Sequence, residues 1–506
     1  MLKLVHKFTI GGREMNLRKW AIGLLSTALL SAPITTALAE EADTTSGASQ
    51  TSEWYADPAT LKDSYDIVII GAGGGGMAAA ITAQEAGADV AIFEKMPIAG
   101  GNTSKSSGGM NASETKFQKE QGIEDSNDLF YEDTLEGGKG TNDPELLRYM
   151  VDHSAEAIEW LDSIGITLNN ITFSGGASVK RIHRPEDGSA VGGYLVEGLL
   201  RNIHEKEIPL FVNSEVTKIN ETDGKVSGVN VTVEGEEKTI NAKAVIIATG
   251  GFGGNLEMVS EIKPELEGFV TTNHEGATGD GIRMAEELGA AVVDMDQIQI
   301  HPTVEQSTSY LVTESVRGDG GILVNQQGER FTDELLTRDK VSANIIALPE
   351  KYAYIIADQR LKESVTAINQ YEEKGIVTKA ETIEELAEKL EIPAENLKAT
   401  LDTWNEAVKN QEDKDFGRTT GMEYDLSHAP YYAIKIAPGI HHTMGGLKID
   451  TETHVLREDG TAIEGLFGAG EVTGQVHGSN RIGGNAVADI IVFGRQAGNI
   501  ASEYVK

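Results

Sequence analysis

The chain has 506 residues, 40% of them hydrophobic, and a formal net charge of −36. This length predicts two or three domains, and the charge argues against nucleic acids and anionic membrane surfaces as partners. The chain contains no cysteine, which excludes disulfides, iron–sulfur clusters and C-x-x-C-H haem attachment within it. So acidic a surface suits the docking of a basic partner, and it is equally consistent with simple solvation.

The first 39 residues have the features of an export signal. Arg18 and Lys19 are its basic part, residues 21–30 its apolar part, and Ala37-Leu38-Ala39 an A-x-A cleavage site. The apolar part is too short to favour a permanent membrane span. We expect cleavage after Ala39. Met15 is an alternative start to Met1, because a signal that begins there has a more ordinary length.

Residues 40–60 are polar and rich in Ser, Thr and Ala, which predicts a linker. Within them, Asp43-Thr44-Thr45-Ser46-Gly47-Ala48-Ser49 resembles the D-x-x-[ST]-G-A-[ST] motif at which flavin transferases attach FMN. On this interpretation Ser49 carries a covalent FMN. The alternative is a Ser/Thr-rich linker that matches the motif by accident.

Residues 65–94 carry the signature of a dinucleotide-binding unit. A buried strand over 66–70 leads into Gly71, Gly73 and Gly76 in G-x-G-x-x-G spacing, followed by a small-residue helix over 77–86. These glycines allow a tight turn, close approach to a pyrophosphate, and packing of helix on strand. A second strand ends at Glu94, whose carboxylate can accept ribose hydroxyls. The alternative is a structural glycine turn in another α/β fold.

Further segments along the chain extend this unit. Residues 100–112 form a loop rich in glycine and hydroxyl groups that can wrap phosphates or a ring edge. One amphipathic helix is expected over 143–165, capped by Asp143, and a loop over 175–185. Strands are expected over 210–216, 226–233 and 238–247, before a glycine turn at 248–252. Asp280 is expected to cap the next helix.

The pattern changes near residue 294. Residues 294–442 are interpreted as an inserted second domain, with a strand over 354–357 and two helices within 382–411 broken at Pro393. Nucleotide-type motifs then return, and Gly483-Gly484-Asn485-Ala486 opens a long C-terminal helix. We therefore predict an α/β fold: a Rossmann-like domain from residues 61–293 and 443–506, and an α+β capping domain from residues 294–442.

A family resemblance rests on many motifs in one order. After the dinucleotide motif come ATGGF, TGDG, HPT, RGDGGILVN, ERFTDE, TRDK, HHTMGG, GLFGAGEVTG and HGSNRIGGNA. From about residue 60 to the end, the chain resembles the periplasmic fumarate reductases of the flavocytochrome c type, in the succinate dehydrogenase/fumarate reductase flavoprotein family. The resemblance implies a periplasmic protein that binds FAD.

The membrane-bound relatives attach FAD to a histidine, but this sequence has Asn102 at that position, which implies non-covalent FAD. The flavocytochromes carry a multihaem domain, and without cysteine the electrons must arrive by FMN on Ser49 or from a separate cytochrome c or flavoprotein. No metal site is predicted. The residues expected to bind FAD are Gly71, Gly73, Gly76, Glu94, Lys95, Gly101, Asn102, Thr103, Gly108, Gly109, Thr249, Gly250, Asp280, Glu471, Gly484, Asn485 and Ala486.

The resemblance also implies a catalytic set for reduction of an activated C=C bond. Hydride passes from FAD N5 to one carbon, and Arg338 protonates the other, with Glu314 and Arg317 restoring its proton. His441 and Arg481 match the residues that clamp one carboxylate of the substrate. His301 and Thr313 match those that bind the other, and Gln299 is a polar residue on the substrate side.

Other interpretations of these residues remain open. Arg338 and Arg481 could be surface salt-bridge partners, and Glu314 a structural ion-pair partner of Arg317. The expected reaction is fumarate to succinate. The alternatives are another 2-enoate reductase, acting on urocanate, acrylate, methacrylate or a cinnamate, and less favoured, a flavin electron carrier. His301 and Thr313 favour a second carboxylate, whereas Tyr310 and Leu311 are less standard.

Overall fold

The computed structural model describes residues 54–506. The expected export signal and the motif ending at Ser49 lie outside these residues. The strands are β1 Ser64–Ile70, β2 Val90–Phe93, β3 Met110–Asn111, β4 Asn170–Thr172, β5 Ile182–Arg184, β6 Leu210–Phe211, β7 Ser214–Thr222, β8 Lys225–Val233, β9 Glu236–Ile247, β10 Val292–Val293, β11 Ile298–Val304, β12 Ile322–Val324, β13 Ala353–Asp358, β14 Thr378–Ala380, β15 Tyr431–Thr443, β16 Gly446–Leu447, β17 His454–Leu456 and β18 Ala462–Gly468.

The α-helices between these strands are mostly short, and the last is the longest. They are α1 Gly74–Glu85, α2 Gly101–Ser104, α3 Lys116–Glu120, α4 Asn127–Gly137, α5 Pro144–Asp152, α6 Ser154–Ser163, α7 Val191–Glu205, α8 Leu256–Ile262, α9 Asp280–Glu286, α10 Ser315–Gly318, α11 Arg338–Ile346, α12 Gln359–Ser364, α13 Ala367–Glu373, α14 Ile383–Leu390, α15 Ala394–Asn410 and α16 Asn485–Val505.

The largest sheet has eight strands in the order β17-β18-β8-β9-β1-β2-β6, with β7 paired to β8. Its centre is parallel: β1 pairs with β2 and β9, and β9 pairs with β18. Residues 67–70 of β1 are buried at the centre of this sheet, and α1 and α16 both pack on the strand. This mixed α/β fold with a parallel sheet confirms the predicted fold class.

A second sheet is antiparallel and has its own core. Its order is β11-β15-β13-β12, with β14 also paired to β15. The hydrophobic cluster around it draws on residues 312–436, whereas Ile298 and Ile440, on β11 and β15, belong to the core of the first sheet. Strands β11 and β15 therefore run from one core into the other. The domain boundaries at 294 and 442 remain a prediction.

Several element predictions were wrong in detail. Residues 143–165 form two helices, α5 and α6, because the chain breaks at His153, whose ring nitrogen pairs with the Tyr149 carbonyl. Residues 210–216 are split by Asn213, whose φ of 50° ends β6 before β7 begins. Gly279 caps α9, and Asp280 is the first residue of that helix. The predicted cap at Asp143 and the break at Pro393 are confirmed.

Candidate functional site

The glycine motif forms a turn that other residues would not fit. Gly71 has a φ of 102°, and a Cβ on it would lie 2.5 Å from the carbonyl oxygen of Ala248. A Cβ on Gly76 would lie 2.0 Å from the carbonyl oxygen of Gly71, so Gly76 keeps α1 close to β1. Helix α1 begins after Gly73 without a side-chain cap. Its N-terminus therefore faces the cleft with backbone N–H groups suited to a phosphate.

Glu94 lies at the end of β2, on the floor of the same cleft. Its carboxylate accepts hydrogen bonds from the backbone N–H groups of Ala72 and Met96, each at 2.9 Å. These bonds fix its orientation and leave lone pairs for ribose hydroxyls. Nearby, Lys95 forms an ion pair with Asp280. Burial alone would raise the pKa of Asp280, but the hydrogen bonds from Lys95 and Thr278 hold that pKa below its usual range.

Asn102, which stands where membrane-bound relatives attach FAD, is held at both ends of its amide. Its nitrogen donates to Asn273 Oδ1 at 2.7 Å, and its oxygen accepts from the backbone N–H of His274 at 2.6 Å. The nitrogen also lies 3.4 Å from Glu471 Oε2. The side chain is thus a polar wall of the cleft that is already hydrogen-bonded.

Most of the predicted cofactor residues line two joined clefts. The nucleotide cleft is lined by Gly71, Gly73, Glu94, Lys95, Gly101, Asn102, Thr103, Thr249, Gly250, Asp280 and Glu471. The substrate cleft has a volume of about 550 Å³ and is lined by Gly108, Gly109, Gly484 and Ala486. Asn102, Thr103 and Glu471 line both, so the clefts are continuous.

Two predicted cofactor residues line neither cleft. Gly76 is packed against β1, and the Asn485 side chain turns inward to bond with Asn111 and Thr134. Helix α16 still begins at Gly484, without a side-chain cap and with its N-terminus at the substrate cleft. Two open helix N-termini, a ribose acceptor and a continuous cleft together fit a flavin dinucleotide.

Arg338 is buried at the first turn of α11, on the wall of the substrate cleft. It donates to Gln299 Oε1 at 3.1 Å and to Glu314 Oε2 at 3.0 Å. Glu314 Oε1 lies 3.4 Å from Arg317 Nη2. Burial would raise the pKa of Glu314, but the guanidinium groups of Arg338 and Arg317 hold that pKa below its usual range. The three predicted catalytic residues are thus in contact, with the carboxylate between two cations.

Three of the five predicted substrate residues line the substrate cleft, and the other two, His301 and Gln299, are buried beside residues that do. Thr313, His441 and Arg481 line the cleft, and the His301 ring centre lies 5.0 Å from that of His441. Burial, reinforced by Arg338, lowers the pKa of both histidines well below the usual value, so both rings are neutral. Gln299, the fifth, anchors Arg338 and is itself held by Asn480 and the Arg481 carbonyl.

Arg481 is a buried cation without an anionic partner among residues 54–506. It donates to the Ile482 carbonyl at 3.2 Å, and its Nε has no hydrogen-bond partner. Burial lowers its pKa to about 9, and the nearby Arg338 acts in the same direction. A carboxylate bound in the cleft would satisfy this guanidinium with a forked pair of hydrogen bonds.

Sequence reasoning missed two residues of this site. Tyr371 accepts a hydrogen bond at 2.9 Å from the backbone N–H of Thr313 and so fixes its position. Arg184 lines the substrate cleft, where it donates to Ser315 and Asn170. A signal for Arg184 was its place among the basic residues Lys180, Arg181, His183 and Arg184 of the segment 175–185, which was expected to be a loop and contains strand β5. Its neighbours Arg181 and His183 are structural, since Arg181 pairs with Asp125 and Asp133 and His183 bonds to Thr115.

Among residues 54–506, every helix is too short or too polar to cross a bilayer.

Comparison with known proteins gives the family. Residues 66–487 match the FAD binding domain family. The NADH:fumarate oxidoreductase of Klebsiella pneumoniae is 54% identical over 441 residues, which are 87% of this chain and 48% of that protein. The chain therefore spans about half the length of that relative.

The fumarate reductase (cytochrome) of Shewanella frigidimarina is 44% identical over 448 residues, covering 88% of this chain and 78% of that protein. Among solved structures, the open conformation of a flavocytochrome c3 fumarate reductase superimposes with a TM-score of 0.74 and 41% identity, over 88% of this chain and 79% of that one. The resemblance drawn from the motifs is confirmed. The chain belongs to the FAD-binding fumarate reductase flavoproteins of the flavocytochrome c3 type.

Proposed function

We propose that this protein reduces an α,β-unsaturated carboxylate, and that its substrate is fumarate, which it converts to succinate. The observation that carries the proposal is Arg481, a buried guanidinium that has no carboxylate partner within residues 54–506 and faces the substrate cleft. Removing one partner of a buried ion pair costs about 3–5 kcal/mol. An anionic substrate is therefore the natural partner of this cation.

Two pairs of residues would each bind one carboxylate of the substrate. Arg481 and neutral His441, which line the cleft, hold one carboxylate. Thr313, which also lines it, and neutral His301, buried with its ring centre 5.0 Å from that of His441, accommodate the second. Neutral imidazoles donate hydrogen bonds without adding charge, so the attraction of the dianion rests on the guanidinium groups. The hydrogen bond from Thr313 to Tyr371 keeps the second position fixed.

Bound FAD would supply two electrons and one hydrogen to the alkene. Arg338 then gives a proton to the adjacent carbon, at a site where its guanidinium is already aligned by Gln299 and Glu314. Arginine is a weak acid in water. Here Glu314 lies 3.0 Å away and returns the proton, with Arg317 balancing the charge of that carboxylate.

Another 2-enoate is the second candidate substrate. Tyr310 and Leu311, which are less standard by the family resemblance, line the cleft near Thr313. The contact of Arg338, Glu314 and Arg317 weighs against a flavin electron carrier, which would need no proton donor at a substrate carbon.

A substrate panel distinguishes these possibilities. Purified FAD-loaded protein is given reduced methyl viologen, and its oxidation is followed with fumarate, urocanate, acrylate, methacrylate or cinnamate. We expect fumarate to give the highest kcat/KM, with succinate as product. A higher kcat/KM with any monocarboxylate would overturn the assignment of fumarate, and inactivity with all five would overturn the reductase proposal.

We further propose that the protein is exported to the periplasm, cleaved after Ala39, and carries non-covalent FAD and a covalent FMN on Ser49. The structural support comes from Trp54 and Tyr55, which follow Ser49 in the chain and are anchored to the FAD-binding part of the protein. Trp54 stacks on His204 with ring centres 5.7 Å apart, and Tyr55 accepts a hydrogen bond from the backbone N–H of Ala99. Ala99 immediately precedes the loop that lines both clefts. Five residues span at most about 18 Å, which is the longest reach of the chain from Trp54 back to residue 49.

Intact-mass analysis of protein from the native host tests the tethered flavin. We expect the mass of the chain from Glu40 plus one phosphoester-linked FMN, and a fluorescent band after denaturing electrophoresis. A Ser49→Ala variant should lose both signals and still reduce fumarate with methyl viologen. A wild-type mass equal to the bare chain would refute FMN on Ser49 and leave a separate cytochrome c or flavoprotein as electron donor.

A further inference from the structure

The substrate cleft holds one more positive charge than the proposed reaction uses. Among the described residues, the lysine and arginine side chains that line it are Lys105, Arg184, Arg338 and Arg481. Arg338 is paired with Glu314, and Lys105 donates to the backbone carbonyls of Thr272 and Asn273. Arg481 faces the first carboxylate of the substrate. Arg184 is the remaining cation, and no step of the proposed reaction involves it.

The charge of Arg184 is poorly compensated by the protein. The side chain is half-buried, and its Nε is buried without a hydrogen-bond partner among residues 54–506. Burial lowers the pKa of Arg184, and the negative charge of Asp319 only partly opposes that shift. A guanidinium nevertheless stays protonated in proteins. Because charges removed from water require a partner, this arginine favours an anionic ligand in the cleft.

The neighbouring strands hold Arg184 at the wall of the cleft. On β4, Asn170 lies opposite Arg184 and accepts a hydrogen bond from its Nη2 at 3.2 Å. On the other side β5 pairs with β3, and a Cβ on Gly109, just before β3, would lie 2.8 Å from Arg184 Cγ. The glycine therefore leaves room for the arginine stem. One arm of the guanidinium is anchored, which leaves Nη1 and Nε for other partners.

Ser315 connects Arg184 to the position expected for the second carboxylate. Arg184 Nη1 donates to Ser315 Oγ at 3.4 Å, and the Thr313 hydroxyl lies 3.4 Å from the same oxygen. The guanidinium and the Thr313 hydroxyl are thus no more than twice that distance apart. A carboxylate has two oxygens, so one can accept from Thr313 and the other from Arg184. His301 brings no charge to this position, because burial lowers its pKa well below the usual value.

We propose that Arg184 supplies the positive charge for the second carboxylate of the substrate, and that it thereby makes the enzyme selective for dicarboxylates. The inference rests on the proposed function. Arg481 binds the carboxylate at one end of the substrate, and Arg184, together with Thr313 and Ser315, binds the carboxylate at the other. Arg184 acts in binding alone, through its charge and its hydrogen bonds. A monocarboxylate leaves Arg184 without its partner, which weakens binding.

The experiment compares fumarate with monomethyl fumarate, which keeps the alkene and one carboxylate but has a neutral ester in place of the other. FAD-loaded wild type and Arg184→Gln are assayed with reduced methyl viologen. The variant should raise the KM for fumarate at least about tenfold, the effect of one lost charged hydrogen bond. Its kcat should stay within about threefold of wild type, because only binding is weakened. Its kcat/KM for monomethyl fumarate should change by less than about twofold.

A second variant and a binding measurement support this comparison. Arg184→Lys keeps the charge but not the planar fork, so its KM for fumarate should rise less and with the same selectivity. Succinate is also titrated against the oxidised proteins and followed by the flavin spectrum, and its Kd should rise in Arg184→Gln by the same factor as the KM. Arg201→Gln is the matched control, because the half-buried Arg201 donates to the carbonyls of Ile164 and Gly165 and lines neither cleft. Its kinetics should match those of wild type.

Two results would overturn the role of Arg184. The first is an unchanged KM for fumarate in Arg184→Gln at full FAD content. The second is an equal loss of kcat/KM with fumarate and monomethyl fumarate, since that pattern reports distortion of the cleft. If the glutamine variant does not retain FAD, the same two criteria are applied to Arg184→Lys. Inactivity of the wild-type enzyme with fumarate would instead refute the proposed function.

Discussion

Arg338→Gln isolates the proton donor, because glutamine can keep part of the local hydrogen bonding but has no acidic proton to give. In the wild-type protein one arm of the guanidinium donates to Gln299 and the other to Glu314. The substitution leaves Glu314 with Arg317 as its remaining cation, at 3.4 Å. The nucleotide cleft is untouched, since Arg338 is not among the residues that line it.

The expected loss can be worked out from this geometry. A positioned general acid typically contributes about 10²–10⁴-fold to the rate, which corresponds to about 3–5 kcal/mol of barrier at 1.36 kcal/mol per tenfold. The lost charged hydrogen bond to Glu314 costs stability of about 1.5–3 kcal/mol. The protein should therefore fold and bind FAD while its kcat falls by two orders of magnitude or more.

The assay is fumarate reduction with reduced methyl viologen, with FAD content measured by absorbance. Arg148→Gln is the matched control, because Arg148 lies outside both clefts, where it forms ion pairs with Asp128 and Asp152 and stacks on the Tyr131 ring; the kcat of this variant should not change. A kcat for Arg338→Gln within tenfold of wild type, at full FAD content, would refute Arg338 as the proton donor.

Two further predictions concern substrate binding and pH. The double variant Thr313→Asp, His301→Tyr should raise the KM for fumarate at least tenfold, because a carboxylate would face a carboxylate; an unchanged KM would show that the second carboxylate binds elsewhere. Burial lowers the pKa of His442 to about 4 from a usual value near 6.5. The unfolded chain therefore binds a proton at pH 4–6.5 that the folded protein excludes, so stability falls as the pH drops through this window, by at most about 3 kcal/mol for this group. The Tm of His442→Gln should fall less than that of wild type between pH 7 and pH 4.5, and parallel Tm curves would contradict the assignment.

The structural features predicted best from the sequence are those whose contacts lie within one continuous segment of the chain. Gly71 and Gly76 contact each other within a single β-turn-α unit, so their spacing carries that part of the geometry, whereas their contact with Ala248 joins distant parts of the chain. The breaks at His153 and Asn213 were missed. At each position a single residue changes the backbone direction within a segment whose hydrophobic pattern favours a continuous helix or strand. Hydrophobic periodicity is read over several residues, so it does not reveal a change at one of them.

The site was harder to predict because its contacts join distant parts of the chain. Gln299 is 39 residues from Arg338 and 181 from Asn480, and it touches both. Its role as the anchor of the proton donor follows from those contacts and from no local pattern. Tyr371 is 58 residues from Thr313 and lies on a helix without a family motif. Motifs therefore named Thr313, which lines the substrate cleft, and missed Tyr371, which holds it in place.

The pairing of β11 with β15 explains why two adjacent histidines take different roles. Gln299 pairs with His442 and Ile300 with Ile440, so His441 is an extra residue that has no partner in the ladder. A bulge of this kind turns a side chain out of the regular alternation. It places the His441 ring 5.0 Å from that of His301, while His442 turns towards Glu471 and His477; both His441 and His442 line the substrate cleft. Because Ile298 and Ile440 on these strands are buried in the core of the large sheet, the bulge is held rigidly beside the FAD clefts. A misplacement of about 1 Å in such a site can cost 10²-fold in rate, so we infer that this irregular register positions the substrate carboxylate.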